Sequence, residues 1–175
     1  MCLTLFSSII EPTGNLQGNN IAGTLPFELS LLTSLKTLII RSNSIKGSIP
    51  DSWTGLTNLE LVSLGENELT GPVPELLINN NPNLWALFLD HNKLSDELPP
   101  SLMSTALKTL KLNGNEIRGT IPPGFAGLGN LERLYLNDNN LSGSIPSSIS
   151  NMKNLSKSEN KKVDGLIVSK LSPHI

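Results

Sequence analysis

The chain has 175 residues, 38% of them hydrophobic, a length and composition that suit roughly one domain and exclude collagen and a disordered polymer. Only 16% of residues are charged and the formal charge is −2, so no electropositive field is available to hold nucleic acid. A single cysteine, Cys2, excludes an intramolecular disulfide and a thiolate zinc site.

Residues 1–14 open with an apolar stretch, Met1 to Ile10, that lacks a basic start and a cleavage site. It is therefore no convincing signal peptide, and the segment reads as an N-terminal piece or partial cap folded against the first repeat. From residue 15 the chain repeats itself. An aliphatic residue followed by proline recurs with prolines at 26, 50, 74, 99, 122 and 146, spaced by 24, 24, 25, 23 and 24 residues. An asparagine stands seven residues before each of them, at Asn19, Asn43, Asn67, Asn92, Asn115 and Asn139. Two markers that keep phase through six units define a repeat, and a repeat is read before any motif.

Within each unit the pattern is that of Leu35-x-x-Leu38-x-Ile40-x-x-Asn43-x-Ile45-x-Gly47-x-Ile49-Pro50. The alternation around Leu38 and Ile40 predicts a short strand with one buried face, and the glycine and proline that come next predict a turn. No unit can bury its leucines alone, so neighbours must stack. The expected architecture is an α/β repeat solenoid of about six 24-residue units over residues 15–154, with a parallel sheet on its concave side. The spacing is one residue long near Asn79-Asn80-Asn81 and one short near Ser104-Thr105-Ala106, which predicts a local bulge or kink. Trp53 shares a column with Leu29, Leu77, Leu102, Phe125 and Ile149 and reads as core. The recurring asparagines are expected to be buried and to satisfy backbone groups in the turn after each strand. Residues 155–175 leave the pattern and read as a divergent C-terminal segment or partial cap, and no run reaches the roughly 18 apolar residues of a membrane span.

This pattern resembles the plant-type extracellular leucine-rich repeat, whose mark is Leu-x-x-Leu-x-Leu-x-x-Asn-x-Leu-x-Gly-x-Ile-Pro. Asp96 departs from it at a glycine position, and Gly14 stands at a strand leucine position. The resemblance implies a leucine-rich repeat horseshoe segment from receptor-like kinase or receptor-like protein ectodomains, or from secreted inhibitors of cell-wall-degrading enzymes. It also implies an extracellular or cell-surface location, with a parent protein that can be membrane-anchored. Members usually carry a cysteine pair before the first repeat, which this chain lacks, so the chain reads as a fragment or a small relative of a longer ectodomain.

No catalytic constellation is visible, and neither a cofactor nor a metal site is expected. Cys2 has no adjacent base, and the neighbours Asp90 and His91 do not by themselves make half of a triad. Strand side chains alternate, so the residues beside the buried leucines must face the concave side. One column there reads Asn15, Ile39, Ser63, Phe88, Lys111, Tyr135; the next contains Arg41, Asp90 and Asn137, and Arg133 borders the first. Of these, Arg41, Phe88, Asp90, Lys111, Arg133, Tyr135 and Asn137, with His91, form the candidate contact surface for a protein, peptide or glycan. Asn140-Leu141-Ser142 and Asn154-Leu155-Ser156 are N-glycosylation acceptors by sequence, at Asn140 and Asn154. The sequence thus points to a non-catalytic recognition module, with an inhibitor of a microbial wall-degrading enzyme or a remnant without independent role as alternatives.

Overall fold

The computed structural model describes residues 13–155 apart from Ser101 and Thr105; the segments expected to act as partial caps lie almost wholly outside that range. Six coils succeed one another. Their inner strands are β1 (Thr13–Asn15), β3 (Thr37–Ile39), β5 (Leu61–Ser63), β7 (Ala86–Phe88), β9 (Thr109–Lys111) and β11 (Arg133–Tyr135). They form one parallel sheet in that order. A second set alternates with the inner strands: β2 (Ala22–Thr24), β4 (Ser44–Gly47), β6 (Glu68–Gly71) and β8 (Lys93–Leu94) in one sheet, β10 (Arg118–Gly119) and β12 (Asn140–Leu141) in another. Among the described residues the outer side carries single turns of 3-10 helix, η1 (Phe27–Leu31), η2 (Asp51–Gly55), η3 (Phe125–Gly127) and η4 (Ser147–Asn151), and one α-helix, α1 (Glu75–Asn79).

The proline that marks each repeat opens four of these five outer segments, directly before η1, η2, α1 and η4. Its fixed φ and missing N–H suit the entry to a helical turn. The leucines of all coils merge into one core, in which Leu38, Val62, Leu87 and Leu110 have no exposed surface. Trp53 is fully buried too, and its indole N–H donates to the Pro26 carbonyl in the preceding coil at 3.3 Å.

The two spacing slips leave the inner sheet unbroken, and the local irregularity expected near Asn79-Asn80-Asn81 lies on the outer side. The register Ser63↔Phe88↔Lys111 continues across both. The outer side absorbs them, because nothing there must stay in ladder register. The extra residue lets α1 form where other coils have a 3-10 turn, and the buried Asn81 closes it. Its carboxamide oxygen accepts from Leu59 N–H at 3.2 Å and its amide donates to the Leu77 carbonyl at 2.8 Å. In the short coil the Ser104 hydroxyl accepts the Leu107 N–H at 3.2 Å. The second sheet is the one that breaks. Gly71, Gly119 and Gly143 take φ near +80°, a conformation that costs glycine nothing. Asp96 stands in the glycine's place in the fourth coil, β8 is two residues long, and across the gap the ladder is reduced to an isolated Glu97↔Arg118 bridge with hydrogen bonds from Glu116 N–H to the Leu94 carbonyl at 2.8 Å and Arg118 N–H to the Asp96 carbonyl at 3.3 Å.

Just before each recurring asparagine one residue sits in the left-handed region: Gly18, Ser42, Glu66, His91, Gly114 and Asp138, with φ from 53° to 69°. That reversal ends the strand and turns the asparagine inward. Asn67, Asn92, Asn115 and Asn139 are buried. Each accepts a backbone N–H of the preceding coil and donates to carbonyls of its own coil and that coil. Asn92, for example, accepts from Leu69 at 2.9 Å and donates to the Leu64, Leu89 and Asp90 carbonyls at 3.1–3.3 Å. Asn19 differs from the expectation. It is exposed and its side chain donates only to the Gln17 carbonyl, at 3.1 Å, because among the described residues no earlier coil lies against it. Asn43 is half-buried yet fully bonded.

Candidate functional site

The inner sheet brings the candidate residues into straight columns, because every strand pair is parallel with equivalent positions opposed. Asn15↔Ile39↔Ser63↔Phe88↔Lys111↔Tyr135 is continuous in register, and beside it runs Thr37↔Leu61↔Ala86↔Thr109↔Arg133. The Lys111 ammonium lies between the two rings of its column, 5.5 Å from the Phe88 centroid and 5.0 Å from that of Tyr135. This is cation–π distance on both sides. The three side chains are half-buried, so each presents a rigid edge to solvent. Arg133, at the border, is exposed.

The neighbouring column holds an ion-pair strap that the repeat pattern does not announce. Arg41 reaches across the third coil to Asp90 in the fourth, with Nη1 3.1 and 3.0 Å from the two carboxylate oxygens, and its Nη2 meets Glu66 at 2.7 Å. Gly65 makes the crossing possible. A Cβ there would sit 2.5 Å from Arg41 Nη1 and 2.8 Å from Asp90 Oδ1. Asp90 is only 3% exposed, and burying a charge without a partner is costly. Burial opposes the Arg41 charge, but Asp90 and Glu66 outweigh it and hold the guanidinium above its ordinary range. The Ser42 hydroxyl and then Arg41 hold the Glu66 carboxyl below the usual carboxylate range. Glu66 therefore favours the fold at neutral pH, and that contribution fades as acid protonates it.

Arg41 and Asp90 thus satisfy each other and act as a brace behind the face rather than as free contacts. Asn137 is turned to Asp138, its amide 2.6 Å from Oδ2. His91 is exposed and lies over Gly114, where a Cβ would meet its Nδ1 at 2.6 Å. The predicted set divides accordingly into an aromatic row, a closed strap, and three polar side chains at the rim, His91, Arg133 and Asn137. Gly65→Ala is expected to eject the guanidinium into solvent and lower stability by about 3 kcal/mol, because the buried Asp90 carboxylate is left without its partner. Urea denaturation checks it, and a double variant with Arg41→Ala should show no further loss.

Trp85 is an exposed aromatic residue outside the predicted set. It precedes β7, and 43% of it is exposed. Its position is occupied in other coils by Lys36, Glu60, Lys108 and Glu132, so its hydrophobicity against charged equivalents was the available signal. Elsewhere, a convex hollow of about 270 Å³ is lined by Pro50, Pro74 and Leu76 with the carboxylates Asp51, Glu75 and Glu97. Among the described residues no group of three His, Cys, Asp or Glu is placed to hold a metal, and no helix is long and apolar enough to cross a membrane.

Comparisons with known proteins support the repeat fold. The leucine rich repeat profile matches residues 33–94 and 105–157. Receptor-like protein kinase BRI1-like 3 of Arabidopsis thaliana is 42% identical over 55 residues, which are 30% of this chain and 5% of that protein. The Arabidopsis receptor kinase HAESA, solved with the peptide hormone IDA and the co-receptor SERK1, superposes with a TM-score of 0.74 at 36% identity over 82% of this chain and 24% of that one. The leucine-rich repeat ectodomain of the Arabidopsis membrane receptor kinase GASSHO1/SCHENGEN3, solved with CASPARIAN STRIP INTEGRITY FACTOR 2, gives 0.62 at 33% identity, covering 81% and 20%. The chain therefore spans a quarter or less of the length of these relatives.

Proposed function

Because the chain belongs to the leucine-rich repeat family, we propose that it is a non-catalytic recognition module that binds an extended peptide along its concave sheet at the cell exterior. The observation that carries this reading is the column Phe88, Lys111, Tyr135. Three successive strands offer aromatic, cation and aromatic side chains held in one line. Aromatic faces give affinity and the ammonium gives orientation. The stacked coils preset these positions, so little conformational entropy is lost on contact. The Arg41–Asp90 strap keeps the sheet's border fixed while leaving the row open. The similarity to ectodomains solved with peptide ligands supports a peptide over a glycan.

Phe88→Ala or Tyr135→Ala is expected to weaken binding by more than about 1 kcal/mol, since truncating a central aromatic removes a hot spot. Ser147→Ala, on the opposite side at the start of η4, is expected to leave affinity unchanged. Calorimetry with peptides selected from a displayed library measures both, and equal losses at the two sides would refute the assignment of this face. An exterior location carries its own test. Asn140 and Asn154 are both exposed, and when the chain is secreted from a plant cell each is expected to bear a glycan that an endoglycosidase removes with a discrete fall in mass.

A further inference from the structure

The flank where the chain enters the inner strands carries a row made of Lys36, Glu60, Trp85, Lys108 and Glu132. Consecutive members are joined by backbone hydrogen bonds of 2.7–2.9 Å: Glu60 N–H to the Lys36 carbonyl, Trp85 to Glu60, Lys108 to Trp85, and Glu132 to Lys108. Along the solenoid the row spans about 19 Å, four steps of strand spacing. Every side chain in it is between 41% and 57% exposed. Lys36 pairs with Glu60 at 2.8 Å and Lys108 with Glu132 at 3.8 Å, so the charges are already ordered on either side of the indole.

The order is plus, minus, tryptophan, plus, minus, and it is complementary to its own reverse. We propose that this flank is the interface of a homodimer in which a second copy docks antiparallel, with a two-fold axis at Trp85. Under that operation Lys36 meets the second copy's Glu132, Glu60 meets its Lys108, and the two Trp85 rings meet each other. Each of the eight charges gains an opposite neighbour across the interface. This self-pairing is what an isologous contact requires, the same patch serving both partners. A partner of uniform charge, acidic or basic, would be repelled by half of the row. The adjacent column offers no obstacle, since reversal sets Thr37 against Arg133, Leu61 against Thr109 and Ala86 against itself. Stacked indoles at the centre, ringed by charge, reproduce the apolar core and polar rim of a protein interface.

Two charge variants of the full chain test this. K36E/K108E makes the row wholly acidic and E60K/E132K makes it wholly basic. In sedimentation velocity at low salt the wild-type chain is expected to show a monomer–dimer equilibrium that weakens as salt rises. Each variant alone is expected to be monomeric, and an equimolar mixture to associate one to one, which also proves that both are folded. Trp85→Ala in both components is expected to weaken the mixed dimer about tenfold, the effect of losing about 1.4 kcal/mol. The buried Trp53 remains as a fluorescence reporter of the fold. A wild-type chain that stays monomeric at about 0.1 mM, where even a weak complex forms, overturns the proposal. So does a mixture that fails to associate, or a dimer indifferent to Trp85→Ala.

Discussion

Trp53→Ala is expected to be the most damaging truncation in the chain, lowering the unfolding free energy by about 3–5 kcal/mol. Trp53 has no exposed surface, and its column neighbours are Leu29 and Leu77, each 2% exposed. The outer segments on either side, η1 and α1, pack against η2, which carries it. In a solenoid the core of each coil packs against the coils on either side, so neither neighbour can collapse into the vacated space without pulling away from the next. The indole also ties the second coil to the first through the Pro26 carbonyl, and alanine removes that tie, leaving the carbonyl only the Leu29 N–H of its own coil. Urea unfolding monitored by circular dichroism measures the loss. A cost below about 1.5 kcal/mol, typical of a volume-conserving swap, would show that the outer layer repacks freely.

Why part of this molecule could be read from its sequence, and part not, depends on the range of each interaction. The columns of the inner sheet were legible because one period governs them. Once Leu38, Val62, Leu87 and Leu110 are recognised as equivalent, Phe88, Lys111 and Tyr135 must fall in line, and the register places them so. Trp53 could be assigned to the core for the same reason. The Arg41–Asp90 strap skips a coil, and nothing in a single unit announces it; only a glycine at the intervening position, Gly65, hints that something passes overhead. The irregularity lies where the spacing put it, near Asn79-Asn80-Asn81, but its form, a turn of α-helix on the outer side with the inner register intact, was not legible, because a change in repeat length says that a residue must be absorbed, not how. Hydrogen-bond registry protects the inner strands, so the outer segments yielded. Asn19 matches its equivalents in sequence, yet its burial depends on a coil before it. Trp85 escapes the column rule because it lies at the border of the sheet, outside the alternation between the buried leucines.

The asparagine ladder leads to the second large effect. Asn92→Ala is expected to cost about 1–3 kcal/mol, the penalty for leaving a buried donor unsatisfied. Its carboxamide caps the Leu69 N–H of the third coil and the Leu64 carbonyl, and it holds the Leu89 and Asp90 carbonyls of its own turn. The Leu69 N–H gains no substitute, since a methyl group offers no acceptor, whereas the three carbonyls keep the Asn67 amide, the Asn115 amide and the Glu66 N–H as donors. The damage is directional. Asn92 joins its own coil to the one before it, as Asn115 joins the next pair, so each deletion weakens a single junction in a stack held together by nearest neighbours. Asn19→Ala supplies the contrast, because the Asn19 side chain is exposed and bonds only within its own turn, and it is expected to change stability by less than about 0.5 kcal/mol, the range of ordinary surface substitutions. Native-state hydrogen exchange would resolve the two. In Asn92→Ala the amides of Leu69 and Leu94, on either side of the altered junction, should lose protection before those of the last coils. Uniform loss across the chain would mean that the coils unfold as one unit and that the ladder is not built from separable junctions.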